Sequence, residues 1–259
     1  MNMKNLMFKA LSVAAAATLV FGCDNAAKKA AAAAAAEQAR QDSIAAAQQA
    51  AKEKTAMEIV KALPEEPEFE IVTNMGSITV KLYKKTPKHR DNFAKLAISG
   101  YYDNLLLHRV INGFMIQGGD PYTKDSTATA VAKYGQGGPG YTIPAEFVPE
   151  YTHKKGALAA ARKGDVANPM KESSGSQFYL VQDARACAQL DGGYTVYGET
   201  IKGIDIIDRI AQVATDGRDR PVMDVRILTI QPVGETAEIV RANNNGTPHI
   251  VYLDKNSRK

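Results

Sequence analysis

A chain of 259 residues, 45% hydrophobic and with a formal charge of +4, suits one medium domain with appendages. The weak positive balance, with no basic run interleaved with aromatics, argues against nucleic acid as a partner. Two cysteines and four scattered histidines offer neither a disulfide framework nor metal-ligand spacing.

The opening segment reads as a leader. Lys4 and Lys9 precede an apolar run from Ala10 to Phe21, too short to span a bilayer as a permanent helix. The run ends in Val20-Phe21-Gly22-Cys23, which resembles a bacterial lipobox, although Phe21 is bulkier than usual at its position. Residues 1–22 are therefore read as a lipoprotein signal peptide and Cys23 as the lipidated residue. This implies a membrane-anchored protein of the bacterial cell envelope, periplasmic or surface-exposed. A secretory signal with a chance cysteine is the rival reading. Cleavage removes Lys4 and Lys9 and no acid, lowering the charge from +4 to +2. Cys187 then lacks an intrachain partner and reads as a small buried or loop thiol without a reactive role.

Residues 23–66 form the next segment. From Ala26 to Ala62 it is dominated by Ala, Gln, Lys and Glu without Gly or Pro, a composition that predicts helix. About 35 helical residues would reach roughly 50 Å. Non-alanine apolar residues are scarce before Met57, so the helix lacks a stripe for docking and reads as a tether. A coiled coil through alanine faces is the weaker alternative, and a monomer is expected. Pro64 and Pro67 end the helix and open a domain at 67–234.

Alternation then replaces helical composition. Phe69 and Ile71, then Ile78, Val80 and Leu82, flank Asn74-Met75-Gly76-Ser77 and predict a hairpin. Thr86-Pro87 opens a helix carrying Phe93, Leu96 and Ala97, stopped by Gly100. Strands are predicted around 107–118, 156–161, 177–182, 194–198 and 225–230, with a second helix from Gly203. Residues 121–155 read as loop. Residues 235–259 read either as a small hairpin, pairing 238–241 with 249–252, or as a frayed tail. Many short strands and two helices predict a mainly β fold, a closed barrel capped at its ends.

The stretch from Leu107 to Asp120 carries the most chemistry. Apolar runs flank Asn112-Gly113, a turn dipeptide, and alternation puts Met115 and Gln117 on one face. Arg109 precedes the turn. A guanidinium is costly to bury unpaired, so it either covers a salt bridge or faces a groove built for a ligand. This stretch resembles the signature strand pair of the cyclophilin family of peptidyl-prolyl cis-trans isomerases. Further matches follow in family order: residues 69–98, Gly156-Ala157-Leu158-Ala159-Ala160-Ala161-Arg162, Gly175-Ser176-Gln177-Phe178-Tyr179, and Leu190-Asp191-Gly192-Gly193-Tyr194-Thr195-Val196-Tyr197-Gly198.

The resemblance implies a closed eight-stranded antiparallel barrel with a helix over each opening. It implies isomerisation of X-Pro bonds; the leader makes exported polypeptides the expected substrates, and the residues carry no cofactor or metal signature. Arg109 would be the catalytic residue. Phe114, Met115, Leu190 and Tyr179 would form the proline pocket, although from the residues alone Phe114, Met115 and Leu190 read as core. Gln117 would orient Arg109 and bond the substrate backbone, Ala161 and Arg162 would border the groove, and Tyr194 and His108 would contribute at its edge. Three positions depart from the family pattern. Tyr179 replaces a phenylalanine, Gln189 stands where cyclosporin-sensitive members carry an aromatic residue, and Tyr194 replaces a histidine. Weak cyclosporin binding is expected. The glycine-rich run 135–140 lacks the Lys-Ser/Thr of a phosphate loop and is interrupted by Pro139. The competing functions are a module that binds proline segments without turnover and a passive envelope scaffold.

Overall fold

In the computed structural model the backbone is described for residues 3–243 and the side chains for residues 27–243. The side chains of residues 1–26, including Cys23, lie outside the described residues, as do residues 249–252. The chain divides into two units, one ending at Ala51 and one beginning at Lys52. Among the described residues, no helix is long and apolar enough to cross a membrane.

The first unit is the bulk of one helix, α1 (Met3–Val60), as the alanine-rich composition predicted. From residue 27 its side chains are mostly exposed, and pairs one turn apart bond each other, such as Gln38 Nε2 to Asp42 Oδ1 at 2.8 Å. The last turns of α1 belong to the second unit. Ala56, Ile59 and Val60, at helical spacing, are buried in its core, and Glu53 pairs with Lys95 at 2.9 Å. The docking stripe missing from the tether therefore starts at Ala56, and packing begins before Pro64.

The second unit continues with β1 (Glu68–Thr73), β2 (Gly76–Leu82), α2 (Pro87–Ile98), β3 (Arg109–Ile111), β4 (Met115–Gly118), α3 (Ala128–Val131) and β5 (Thr142–Ile143). Then come β6 (Ala157–Ala160), β7 (Ser173–Ser174), β8 (Phe178–Val181), α4 (Ala184–Cys187), β9 (Val196–Lys202), α5 (Ile204–Ala211), β10 (Ile227–Pro232) and α6 (Gly234–Asn243). Eight strands form one antiparallel sheet in the order β10-β1-β2-β9-β6-β8-β4-β3, and β5 and β7 form a separate pair.

The expected closed barrel is corrected to an open, curled half-barrel. Its edge strands β3 and β10 share no ladder. The irregular segment before β3 approaches β10 through the bridge Leu106↔Arg226, with Leu107 N–H donating to Val225 O and Ile227 N–H to Leu105 O, both at 2.8 Å. The loop after α5 occupies the free edge of β3 instead, where Val110 N–H donates to Asp219 O at 2.8 Å. The two predicted helices pack into the core as expected. α2 buries Phe93, Leu96 and Ala97, and α5 buries Ile206, Ile207 and Ile210. Residues 238–241 lie in α6 instead of in a strand, because Ala237 and Val240 share one buried helical face.

Two details of local structure were hidden from the sequence. Thr86 stands before α2, but its side chain does not cap the helix. Glu146, from the loop before β6, accepts from the backbone N–H groups of Lys88 and His89 at 3.1 and 3.0 Å and also bonds His89 Nδ1 at 2.7 Å. A carboxylate at the positive end of a helix dipole is favoured there.

The sheet encloses the main core on one side, where Phe93 meets Phe69, Phe178, Tyr102 and Tyr197 at ring-centroid distances of 5.3 to 6.0 Å. A second buried cluster lies on the other face of the strands, containing Met115, Ala159, Ala161, Tyr179 and Val181. Phe93→Ala should cost about 3–5 kcal/mol in urea-induced unfolding, because the cavity left among four rings cannot collapse. Ile44→Ala, at an exposed position of the first unit, should stay within about 0.5 kcal/mol.

Candidate active site

Antiparallel register lines up the site. Arg109 pairs with Gln117 across β3 and β4, Gln117 with Tyr179 across β4 and β8, and Tyr179 with Ala159 across β8 and β6. Successive side chains alternate, so Met115 and Gln117 share the outer face while Ile116 points into the main core. Between β3 and β4 the chain turns at Asn112-Gly113, with Gly113 at φ +77° and Phe114 N–H donating to Ile111 O at 3.1 Å. The turn rotates Phe114 onto the same side as Met115. Gln182 and Asp183 donate backbone N–H groups to its carbonyl at 2.9 and 3.1 Å.

These residues line a cavity of about 740 Å³. Arg109, Phe114, Met115, Gln117, Ala161, Arg162, Tyr179, Leu190, Tyr194 and His108 all border it. The ten positions singled out from sequence therefore occupy one place. A second cavity of about 860 Å³ shares Gln117, Gly135, Ala161 and Arg162 with the first, so a groove continues past Gln117.

Arg109 is half-exposed and only loosely held. Its Nη1 donates to Gln117 Oε1 at 3.4 Å, and its Nε lies 3.6 Å from Asp219 Oδ2. A guanidinium has five N–H donors, so these two long contacts leave donors to face the cavity. Gln117 is itself fixed: its Nε2 donates to Gln177 Oε1 at 3.0 Å. Gln177 in turn donates to Gly135 O at 3.0 Å and Gly137 O at 2.8 Å. Buried Asp120 completes this lattice by accepting from the N–H groups of Gly135, Gly137 and Tyr122. The preceding Gly119, at φ +91°, lies so close to the chain entering β8 that a Cβ there would meet Ser176 O at 2.2 Å.

The remaining residues behave differently from one another. Arg162 borders the groove, but its side chain is 5% exposed and its donors go to the protein. Nε donates to Gly193 O at 2.7 Å and Nη1 to Lys163 O and Asp165 Oδ1, while the guanidinium stacks over Tyr194 at 4.3 Å. It acts as a strut for Tyr194, not as a free cation. His108 is buried, and burial pushes its pKa below the ordinary imidazole value against the opposing pull of Asp120. His108 is therefore neutral at pH 7 and unsuited to a cationic role. Gln189 is exposed, with its amide donating back to Ala186 O at 3.2 Å. Cys187 is buried as expected. Burial pushes its thiol up to about 11, and its Sγ lies 3.4 Å from Phe114 O.

Sequence reasoning missed several lining residues. Asp216, Arg218, Arg220 and Tyr134 also border the cavity. The loop carrying the first three is brought there by its contact with β3, and Arg220 stacks over Tyr134 at 4.8 Å. Nothing in their local sequence marks them. His153, set aside from sequence as one of four scattered histidines, sits behind the cavity with its Nε2 2.8 Å from the Tyr179 hydroxyl. Among the described residues, no cluster of potential metal ligands occurs.

Comparison with known proteins gives one consistent answer. Residues 68–231 match the model of the family described as cyclophilin type peptidyl-prolyl cis-trans isomerase/CLD. Peptidyl-prolyl cis-trans isomerase CYP18-2 of Arabidopsis thaliana is 34% identical over 172 residues, 65% of this chain and 96% of that protein. Peptidyl-prolyl cis-trans isomerase-like 1 of Mus musculus is 36% identical over 171 residues, 66% of this chain and 95% of that protein. A crystal structure of a cyclophilin type peptidyl-prolyl cis-trans isomerase from Cryptosporidium parvum superposes with a TM-score of 0.57 at 30% identity. The match covers 65% of this chain and 98% of that one.

The glutamine lattice makes a local prediction. In Gln177→Ala the carbonyls of Gly135 and Gly137 lose their donors, and amide hydrogen exchange across 135–137 should quicken on the order of tenfold. Unchanged exchange would mean that Asp120 alone holds the loop.

Proposed function

The chain belongs to the cyclophilin-type peptidyl-prolyl cis-trans isomerase family and is an enzyme of that class, and we propose that it turns X-Pro bonds of exported proteins, assisting their folding, from a lipid anchor in a bacterial cell envelope. The observation that carries the site assignment is the convergence of Arg109, Gln117 and an apolar floor on one cavity.

Rotation about an X-Pro amide meets a barrier of about 20 kcal/mol, because the nitrogen lone pair conjugates with the carbonyl. No bond need break and no proton need move. A donor aimed at the nitrogen stabilises the twisted amide, in which the lone pair is localised, more than the planar one, and that difference is catalysis. Arg109 supplies the donor: its charge is permanent, and Gln117 limits where its fork points. Phe114, Met115, Leu190 and the Tyr179 ring grip the proline ring while the acyl side turns. Gln117, placed between the two cavities, has a polar head in reach of a peptide backbone lying in the continued groove. Ala161 leaves room for that backbone, and Tyr194, held by Arg162, forms a wall.

Arg109→Ala should lower kcat/KM for a short Ala-Pro peptide by about 10²–10³-fold with the fold intact. Arg109→Lys should recover little, because an ammonium cannot reproduce the fork. Undiminished turnover in Arg109→Ala would remove the assignment. Since the rotation moves no proton, and the nearby His108 and His153 have pKa values lowered by burial, turnover should stay flat from about pH 7 to 9. A bell-shaped profile there would contradict the mechanism.

The envelope location rests on Lys4, Lys9, the apolar run and Cys23. Labelled palmitate should enter the wild-type protein and not Cys23→Ser, with the wild type alone partitioning into detergent. Equal partitioning of both would discard the anchor.

A further inference from the structure

Tyr179, His153 and Asp191 come from three separate segments and meet behind the cavity. Tyr179 lines it from β8, and its hydroxyl oxygen lies 2.8 Å from His153 Nε2, the two rings nearly parallel at 9°. His153 precedes β6, and its side chain is fully buried. Its Nδ1 lies 2.6 Å from Asp191 Oδ1, which also accepts from the His153 backbone N–H at 2.8 Å. Asp191 directly follows Leu190, whose carbonyl accepts from the N–H groups of Gly193 and Tyr194. The chain of bonds thus ties the pocket floor, Tyr179, to the loop that carries the walls, Leu190 and Tyr194.

We infer that Asp191–His153–Tyr179 is a positioning chain for the proline pocket, and that protonation of His153 reverses its last bond and weakens substrate binding. This rests on the isomerase reading of the cavity. The proton inventory follows from donor chemistry. A carboxylate only accepts, so the Nδ1 facing Asp191 carries hydrogen. In neutral His153 the Nε2 is then an acceptor, and the Tyr179 O–H donates to it, away from the substrate. Protonation puts hydrogen on Nε2 as well, which must donate to the Tyr179 oxygen. The hydroxyl hydrogen then turns away from His153, into a cluster made mostly of apolar side chains, Met115, Ala159, Ala161, Val181 and Leu190, with Cys187 and Tyr194 as its polar neighbours. A proline ring covering that floor would desolvate an unpaired donor.

The surroundings set the direction of the pH dependence. Burial is the largest influence on His153 and lowers its pKa, and Asp191 opposes this by favouring the imidazolium. Around the Tyr179 ring the charged or titratable groups are Cys187 of α4, Tyr194, Arg162 and Asp191. The neighbouring lysines face other partners, Lys154 pairing with Glu199 and Lys155 with Asp208. His153 is therefore neutral at pH 7 and charges only in acid, below the ordinary imidazole range, so binding weakens as the pH falls.

The test uses the full chain and an Ala-Pro peptide, with turnover followed by exchange spectroscopy and affinity by calorimetry at pH 7.5 and pH 5. Kd and KM should rise about 3–10-fold in acid while kcat stays within about twofold, as an unpaired donor under the ring predicts. The rise should vanish in Tyr179→Phe and in His153→Gln, whose amide does not titrate. Nitrogen-15 spectra of labelled histidine should show His153 protonated on Nδ1 at pH 7.5, titrating with the same midpoint as KM. Constant Kd and KM would overturn the inference. So would a rise that persists in Tyr179→Phe, which would assign it to His108. If the peptide binds at pH 7.5 without faster rotation, the isomerase reading of the cavity fails, while the two Kd values still decide the positioning chain.

Discussion

The register across β3, β4, β8 and β6 is the constraint on which the site depends. One line of cross-strand pairs holds Arg109, Gln117, Tyr179 and Ala159 side by side. Side chains alternate with a period of two, so a slip of one residue in β4 would send Gln117 inward and Ile116 outward. Ile116 belongs to the main core and Met115 to the cluster beneath the cavity, so core packing and site geometry enforce the same register. The penalty for misplacing the core residues is what holds the arginine and the amide in place.

Polar groups beneath the site are satisfied as a lattice. Gln117 donates to Gln177, Gln177 donates to the carbonyls of Gly135 and Gly137, and the N–H groups of the same two glycines donate to the Asp120 carboxylate. Leaving buried Gln177, Asp120 or the Gly137 carbonyl unpaired would cost about 1–3 kcal/mol, so the 135–137 loop has little freedom to drift from the cavity rim. Arg109 stands at the end of this lattice and is held by its weakest contact. That suits a group whose donors must remain open to a substrate.

How much was legible in the sequence depended on the range of the interactions. The β1–β2 hairpin, α2, the Asn112-Gly113 turn and α5 follow from alternation and turn residues, which are local signals. Motif resemblance gathered ten residues that line one cavity, although they span positions 108 to 194. Long-range contacts were not legible. Closure of the barrel was expected by resemblance, but the 214–222 loop holds the edge of β3 through Asp219. Glu146 capping α2, Arg162 consumed by Gly193 and Asp165, and His153 behind Tyr179 all depend on partners distant in the chain or on side-chain direction. The docked end of α1 was within reach, since Ala56, Ile59 and Val60 already have helical spacing. Alanine-rich composition masked it.

The central claim is that Gln117 matters to catalysis largely by placing Arg109. A double-mutant cycle in kcat/KM for an Ala-Pro peptide, using Arg109→Ala, Gln117→Ala and both together, tests it directly. The account predicts strong coupling, with the double variant within about threefold of Arg109→Ala alone. Fully additive losses would contradict it, because Gln117 would then act on the substrate independently of the arginine beside it.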